Sequence, residues 1–434
     1  MWDDWARPGL PQAHHIHGFL ARSRTLLKER APHVLEAMRA AGIGEQSAVA
    51  KLPDYPRPGD ELLVSLRSRR PVFEGVLRQC VQAEPTVDVR TGCVVEGLVV
   101  EGELGGRPRV VGARLRSGEE MRADAVVDAS GRTSRVLTWL ADVGAPAPFD
   151  ENVDSGLVYF NRTFRLRPGQ AAPPAEFGPH SMRGDLPYFG YAAGLADDST
   201  FVWNLVVPAF DREMRLLRHD RAWMAAARAL PAAAPWVDAD RAEPIDHVQA
   251  MGGLRCVLRR YVVDGQPVAP GLHVVGDALV HTTPTFGYGA SLGLTHGFAL
   301  ADALATHDDP ARQALAFDAA VWTEARRAYE YAVASDLARV GGFHGDPQPE
   351  NPYHFAYTAL PFAAAKDPEI ARAWARQGQL VDLPGTMIEN EALMARARAI
   401  ADELRARGEL PEHPPGPSRD EMVAILRRAS EQAA

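Results

Sequence analysis

The stretch "HVVGDALVHTTPTFGYGASLG", His273 to Gly293, carries an apolar strand into Gly276 and Asp277, runs through a Pro and Gly-rich turn, and enters a helix directly. Glycine serves where backbone must approach another group closely, because it lacks the Cβ that would stand in the way. In open α/β sheets, ligands bind beyond the carboxyl ends of such strands. An Asp at that point accepts hydrogen bonds from ligand hydroxyls. The first amides of the helix that follows Gly287 and Gly289 present roughly +0.5 of partial charge to the same place. The arrangement suits an electron-rich ring that becomes anionic on reduction.

A second segment, "ADAVVDASGRTSRV", has the same form, a strand over 125–127 ending in Asp128 and Gly131. Upstream, "HGFLARSRTLLKERAPHVLEAMRAAG" spaces its apolar residues as two helices, the second opened by Pro32 and closed by Gly42. The spacing predicts a further helix over 71–82, then Val-rich strands from Val87 onward. From Gly156 to Pro208 the pattern is that of a sheet, with a turn at Asp197 and Asp198. Helices follow over 289–306 and from Pro310, and a tail helix over 418–432 is opened by a capping box of Ser418 and Glu421. The expected fold class is α/β: a Rossmann-like core over 1–150, left for a mainly β-sheet substrate domain over 151–265, re-entered over 266–308, and completed by a helical region over 309–434.

Composition narrows the function. The chain has 434 residues, 46% of them hydrophobic, and a net charge of -9 with no Lys/Arg-rich block, which argues against nucleic acid as a partner. Cys80, Cys93 and Cys256 lie far apart, so neither a zinc site nor a disulfide framework is indicated. No apolar run is long enough to span a membrane, and the expected location is cytoplasmic. "HHIH" has no further His, Asp or Glu spaced to complete a metal site, and no metal is expected.

In the order Gly276-Asp277, Pro284, Gly287-x-Gly289, the chain resembles the FAD-dependent oxidoreductases built like aromatic hydroxylases and squalene epoxidases, the class A flavoprotein monooxygenases. The resemblance implies that FAD is the cofactor and that Asp277 binds its ribityl hydroxyls. It also implies that the turn from Pro284 through Gly287 and Gly289 to Ala290 faces the isoalloxazine. Asp128 and Gly131 would lie near the pyrophosphate, although the family motif is written Asp-Gly and here reads Asp-Ala-Ser-Gly. "ARPGLPQAHHIH" is similar to a segment of an actinobacterial subgroup, which places Arg7 near FAD and His15 and His17 near the flavin. Arg70 resembles a helix-leading Arg that reaches the cofactor, and Val95 lies on a strand that holds adenine through its backbone. Members of this family open with a GxGxxG unit, and this sequence starts after it, which is expected to reflect a misassigned or truncated start.

The reaction implied is oxygen insertion into a fairly apolar small molecule under the small-domain sheet, as in secondary metabolism. Tyr188, Tyr191 and Trp203 are expected to line its site, with His17 as an orienting donor. Electrons would come from NAD(P)H or a separate flavin reductase, since no second dinucleotide fingerprint is present. Two alternatives stand beside this: a flavin-dependent reductase or halogenase, and a truncated, non-catalytic remnant that binds no FAD.

Overall fold

The computed structural model describes residues 11–15, 17–346, 348 and 350–431. Helices α1 (Ala21–Arg30), α2 (Pro32–Ala40) and α3 (Arg70–Ala83) form the first layer. Pro32 and Pro71 sit in first turns, where a missing N–H costs nothing. The three helices close over Phe19, Leu27, Leu35, Met38 and Phe73, with the Phe19 and Phe73 rings stacked at 3.9 Å.

A hairpin follows, β1 (Val95–Leu104) and β2 (Arg107–Leu115), turned by Gly105 and Gly106. Both glycines have positive φ, as a two-residue turn matching the strand twist requires. The expected strand just upstream is not present. Residues 81–94 are exposed and belong to no strand, because an alternating pattern becomes a strand only where a neighbour offers hydrogen bonds. Strand β3 (Val126–Asp128) has its partner downstream, and its outer edge pairs with no strand among the described residues; Val127 there is 44% exposed.

The chain then passes through β4 (Phe149–Asp154) into a large antiparallel sheet built from β5 (Leu157–Leu166), β6 (Arg183–Leu186), β7 (Phe189–Leu195) and β8 (Thr200–Pro208). Asp198 and Ser199, both at positive φ, make the turn between β7 and β8. After α4 (Asp220–Ala229), β9 (Ala242–Pro244) and β10 (Gln249–Met251) both add to β5. Strand β11 (Arg255–Arg260) returns along β4, so these two strands are the passage between the sheet and the core.

Strand β12 (Leu272–Val274) then lies parallel to β3, with Val274 beside Asp128, and α5 (Tyr288–Thr306) and α6 (Pro310–His344) pack beneath the pair. Five helices over 352–406 form a separate apolar cluster around Leu360, Ile370 and Met394. The last helix, α7 (Arg419–Glu431), does not stay with that cluster. It crosses back to α4, and its Met422, Val423 and Leu426 complete the core on one face of the large sheet. None of the described helices is long and apolar enough to cross a membrane.

Candidate cofactor site

The carboxyl ends of β3 and β12 lie side by side, and the two acidic residues there have different surroundings. Asp128 is 7% exposed and accepts hydrogen bonds from the Ser130 amide (2.9 Å), the Ser130 hydroxyl (2.5 Å) and the Ser134 hydroxyl. Its carboxylate holds its own loop in place. Asp277 is half-buried, and no side-chain hydrogen bond engages it among the described residues. Gly131, at φ +79, comes nearest to Asp277, whose Cβ would lie 4.0 Å from an added Cβ; one added at Gly289 would lie 3.4 Å from Asp277 Oδ1. Asp277, Gly131 and Gly289 are therefore brought together.

Gly276, at φ +61, donates its N–H to His296 Nδ1 at 3.0 Å. Burial pushes the His296 imidazole down to about 4, so it is neutral and can accept that bond. Pro284 opens one turn of 3-10 helix, and Gly287, in the left-handed region at φ +68, leads into α5. A Cβ at Gly287 would lie 3.2 Å from the Gly18 carbonyl oxygen, so the segment after His17 runs directly against this turn. The turn is fastened on three sides. Tyr159 Oη meets Thr285 Oγ1 at 2.9 Å, Thr283 Oγ1 donates to Asp336 Oδ1 at 3.3 Å, and Ser23 and Ser291 share a buried hydroxyl contact at 2.8 Å. Burial raises the Asp336 carboxyl to about 7. Ala290 packs on the α1–α3 core.

His17 is fixed at both ring nitrogens. Nδ1 donates to the His15 carbonyl at 2.7 Å, and Nε2 accepts from Arg70 Nη1 at 3.0 Å, while Arg70 Nε reaches Glu74 at 2.7 Å. Burial, and then the Arg70 charge, hold the imidazole down to about 3. Its one N–H is therefore committed to His15, and His17 is an acceptor for Arg70 instead of the expected orienting donor. Val95 opens β1 opposite Leu115 and packs into the core; Arg7 lies outside the described residues.

A cavity of about 110 Å³ adjoins this region, lined by His15, His17, Ser68, Arg69, Thr163 and Val202 among others. Arg69 forms a bidentate pair with Asp197 of the β7–β8 turn, with Nη2 to Oδ2 at 2.8 Å. Tyr188, Tyr191 and Trp203, expected as lining, are placed elsewhere. All three belong to the core packed against α4 and α7, and Tyr188 donates to the Pro417 carbonyl. Strand side chains alternate, so with Tyr191 and Trp203 on that face, the cavity side of β7 and β8 carries Gly194 and Val202. Tyr159, Thr283, Thr285 and Asp336 escaped sequence reasoning. The polar residues flanking Pro284 in an otherwise apolar run were the available signal.

No family model matches the chain. "Protein Rv3254" of Mycobacterium tuberculosis is 27% identical over 92% of this chain and 88% of its own length. Among solved structures, PqsL of Pseudomonas aeruginosa, a probable FAD-dependent monooxygenase, superposes with a TM-score of 0.54 at 17% identity, covering 76% of this chain and 89% of PqsL. The anhydrotetracycline hydroxylase OxyS of Streptomyces rimosus gives 0.51 at 16% identity, over 85% of this chain and 69% of OxyS. The fold is that of flavin monooxygenases. The Diels-Alderase PyrE3, from pyrroindomycin biosynthesis, has it as well, with a TM-score of 0.55 at 14% identity over 85% of this chain and 72% of PyrE3.

The residues present fit the ring and ribityl end of FAD. They offer a carboxylate free to accept from hydroxyls, glycines where backbone must come close, and the first turn of a 19-residue helix.

Proposed function

We propose that this chain is an FAD-dependent monooxygenase acting on a mostly apolar small molecule held against the cavity side of the large sheet. The observation that carries this reading is Asp277, a carboxylate facing Gly131 and Gly289 with no side-chain partner of its own among the described residues, beside the turn that starts α5. Asp277 would hold the ribityl hydroxyls, and the turn from Pro284 to Ala290 would face the ring. Bound FAD supplies electron transfer to oxygen.

The protein's part is electrostatic and geometric. The first amides of α5 favour negative charge on the ring edge they face. The Tyr159–Thr285 and Thr283–Asp336 contacts keep the turn from shifting. The large sheet would have to keep bulk water away from the bound ring. Electrons would be delivered by NAD(P)H or by a separate flavin reductase.

The test is isotopic. Protein supplied with FAD, NADPH and ¹⁸O₂ is expected to place one ¹⁸O atom in the product from a panel of apolar aromatics. Product oxygen drawn from water would overturn the reading, and anaerobic reduction of an alkene would move it to the reductase alternative.

A further inference from the structure

The two faces of the large sheet are used differently. In β8, Phe201, Trp203, Leu205 and Val207 point into the core shared with α4 and α7, so Val202, Asn204 and Val206 point to the other side. On that other side, Thr163 and Val202, which are register partners, help to wall the cavity. Four residues further along the strands, Tyr159 stands opposite Val206 and bonds to Thr285 of the turn. Asn204, opposite Asn161, lies midway between the cavity wall and that turn.

Asn204 is an unusual residue for this place. It is 3% exposed, and its Oδ1 has no hydrogen-bond partner. Ala192 across the β7 pairing and Val202 and Val206 along the strand are small or apolar, and Asn161 across the β5 pairing, though polar, leaves Asn204 Oδ1 unbonded. A buried amide oxygen left unpaired is costly, and a leucine of similar volume would fill the position without that cost. The side chain has a purpose when something brought into the cavity meets it.

We propose that Asn204 recognises a hydroxyl group on the substrate, which makes the substrate class a small, mostly apolar molecule with one hydroxyl directed toward the turn. A hydroxyl both donates and accepts, so it satisfies the amide with either its oxygen or its nitrogen foremost. This deepens the reading of the cavity as the substrate site, and it needs no flavin in order to be measured.

The probes are 4-methylphenol and 1,4-dimethylbenzene, matched in shape and differing by one hydroxyl. Binding is measured by ligand-observed NMR titration of the full chain, with and without added FAD. The wild type is expected to prefer the phenol by about tenfold, the worth of one net hydrogen bond. Asn204→Leu and Asn204→Ala are expected to bind the two probes within about twofold of each other; the alanine variant guards against a shape clash from leucine, and circular dichroism checks that both fold. No phenol preference in the wild type under either condition, or a preference that survives both substitutions, overturns the proposal. Failure to bind FAD while the preference persists counts against the flavin reading alone.

Discussion

Asp128 and Asp277 end neighbouring parallel strands, yet their substitutions should have opposite consequences. Asp277 supports no side chain of the protein, so Asp277→Ala is expected to leave thermal stability nearly unchanged while lowering FAD affinity ten- to a hundredfold, about 1–3 kcal/mol for a lost ligand hydrogen bond in a partly buried site. Fluorescence titration of the apoprotein measures it, and unchanged affinity would remove Asp277 from the site. Asp128→Ala strips acceptors from Ser130 and Ser134 and should cost about 1–3 kcal/mol of stability, with the smaller effect on FAD. The sequence showed both acids at strand ends. It did not show that two serines close behind would consume one of them.

At the scale of elements, β12, α5 and α6 bury titratable groups whose effects oppose each other. Burial pushes His273 on β12 and His296 on α5 down to about 4. Below the ordinary value of 6.5 the unfolded chain protonates these two while the fold does not, so each removes about 1.4 kcal/mol of stability per pH unit as pH falls from 6.5 toward 4. Asp336 on α6, raised to about 7, runs the other way, since the fold keeps a proton that the unfolded chain loses above 3.8, and its contribution shrinks as pH rises. Between about pH 4.5 and 6.5, one of the two histidine protons is offset. Asp336→Asn should therefore steepen the acid limb of stability by about one proton, 1.4 kcal/mol per pH unit, read from urea midpoints across that range. Helices were the legible elements: the one expected over 289–306 begins one residue earlier, at Tyr288, and the Ser418–Glu421 capping box is formed, with Glu421 accepting from the Ser418 amide and hydroxyl at 2.8 Å each. Local patterns suffice for these. The choice of sheet face for Tyr191 and Trp203 was not legible, because alternation separates two sets of side chains without saying which set α4 and α7 will cover.

At the scale of the whole molecule, the groups proposed to hold a flavin gather where the carboxyl ends of β3 and β12 meet the turn that starts α5. In the proposed reading Asp277 and the Pro284–Ala290 turn would address the ring and ribityl chain, while the Asp128 carboxylate is engaged by Ser130 and Ser134. Riboflavin and FAD are accordingly expected to bind the 434-residue chain with affinities within about threefold, a difference under 1 kcal/mol; FAD binding more than tenfold tighter would show that the pyrophosphate end is held too. The return of α7 to the large sheet has a consequence for the order of events during synthesis. The last strand of that sheet ends at Met251, yet the helix that completes its core ends at Glu431. At ribosomal speeds of about 5–20 residues per second, the 180 residues between them take about 9–36 s to emerge, and for that time Trp223 and Leu217 lack the cover of Met422 and Leu426. A chain stopped after Gly416 should show a red-shifted tryptophan emission and stay bound to chaperones that release the full-length protein. The nascent sheet is thus a client awaiting its own carboxyl terminus.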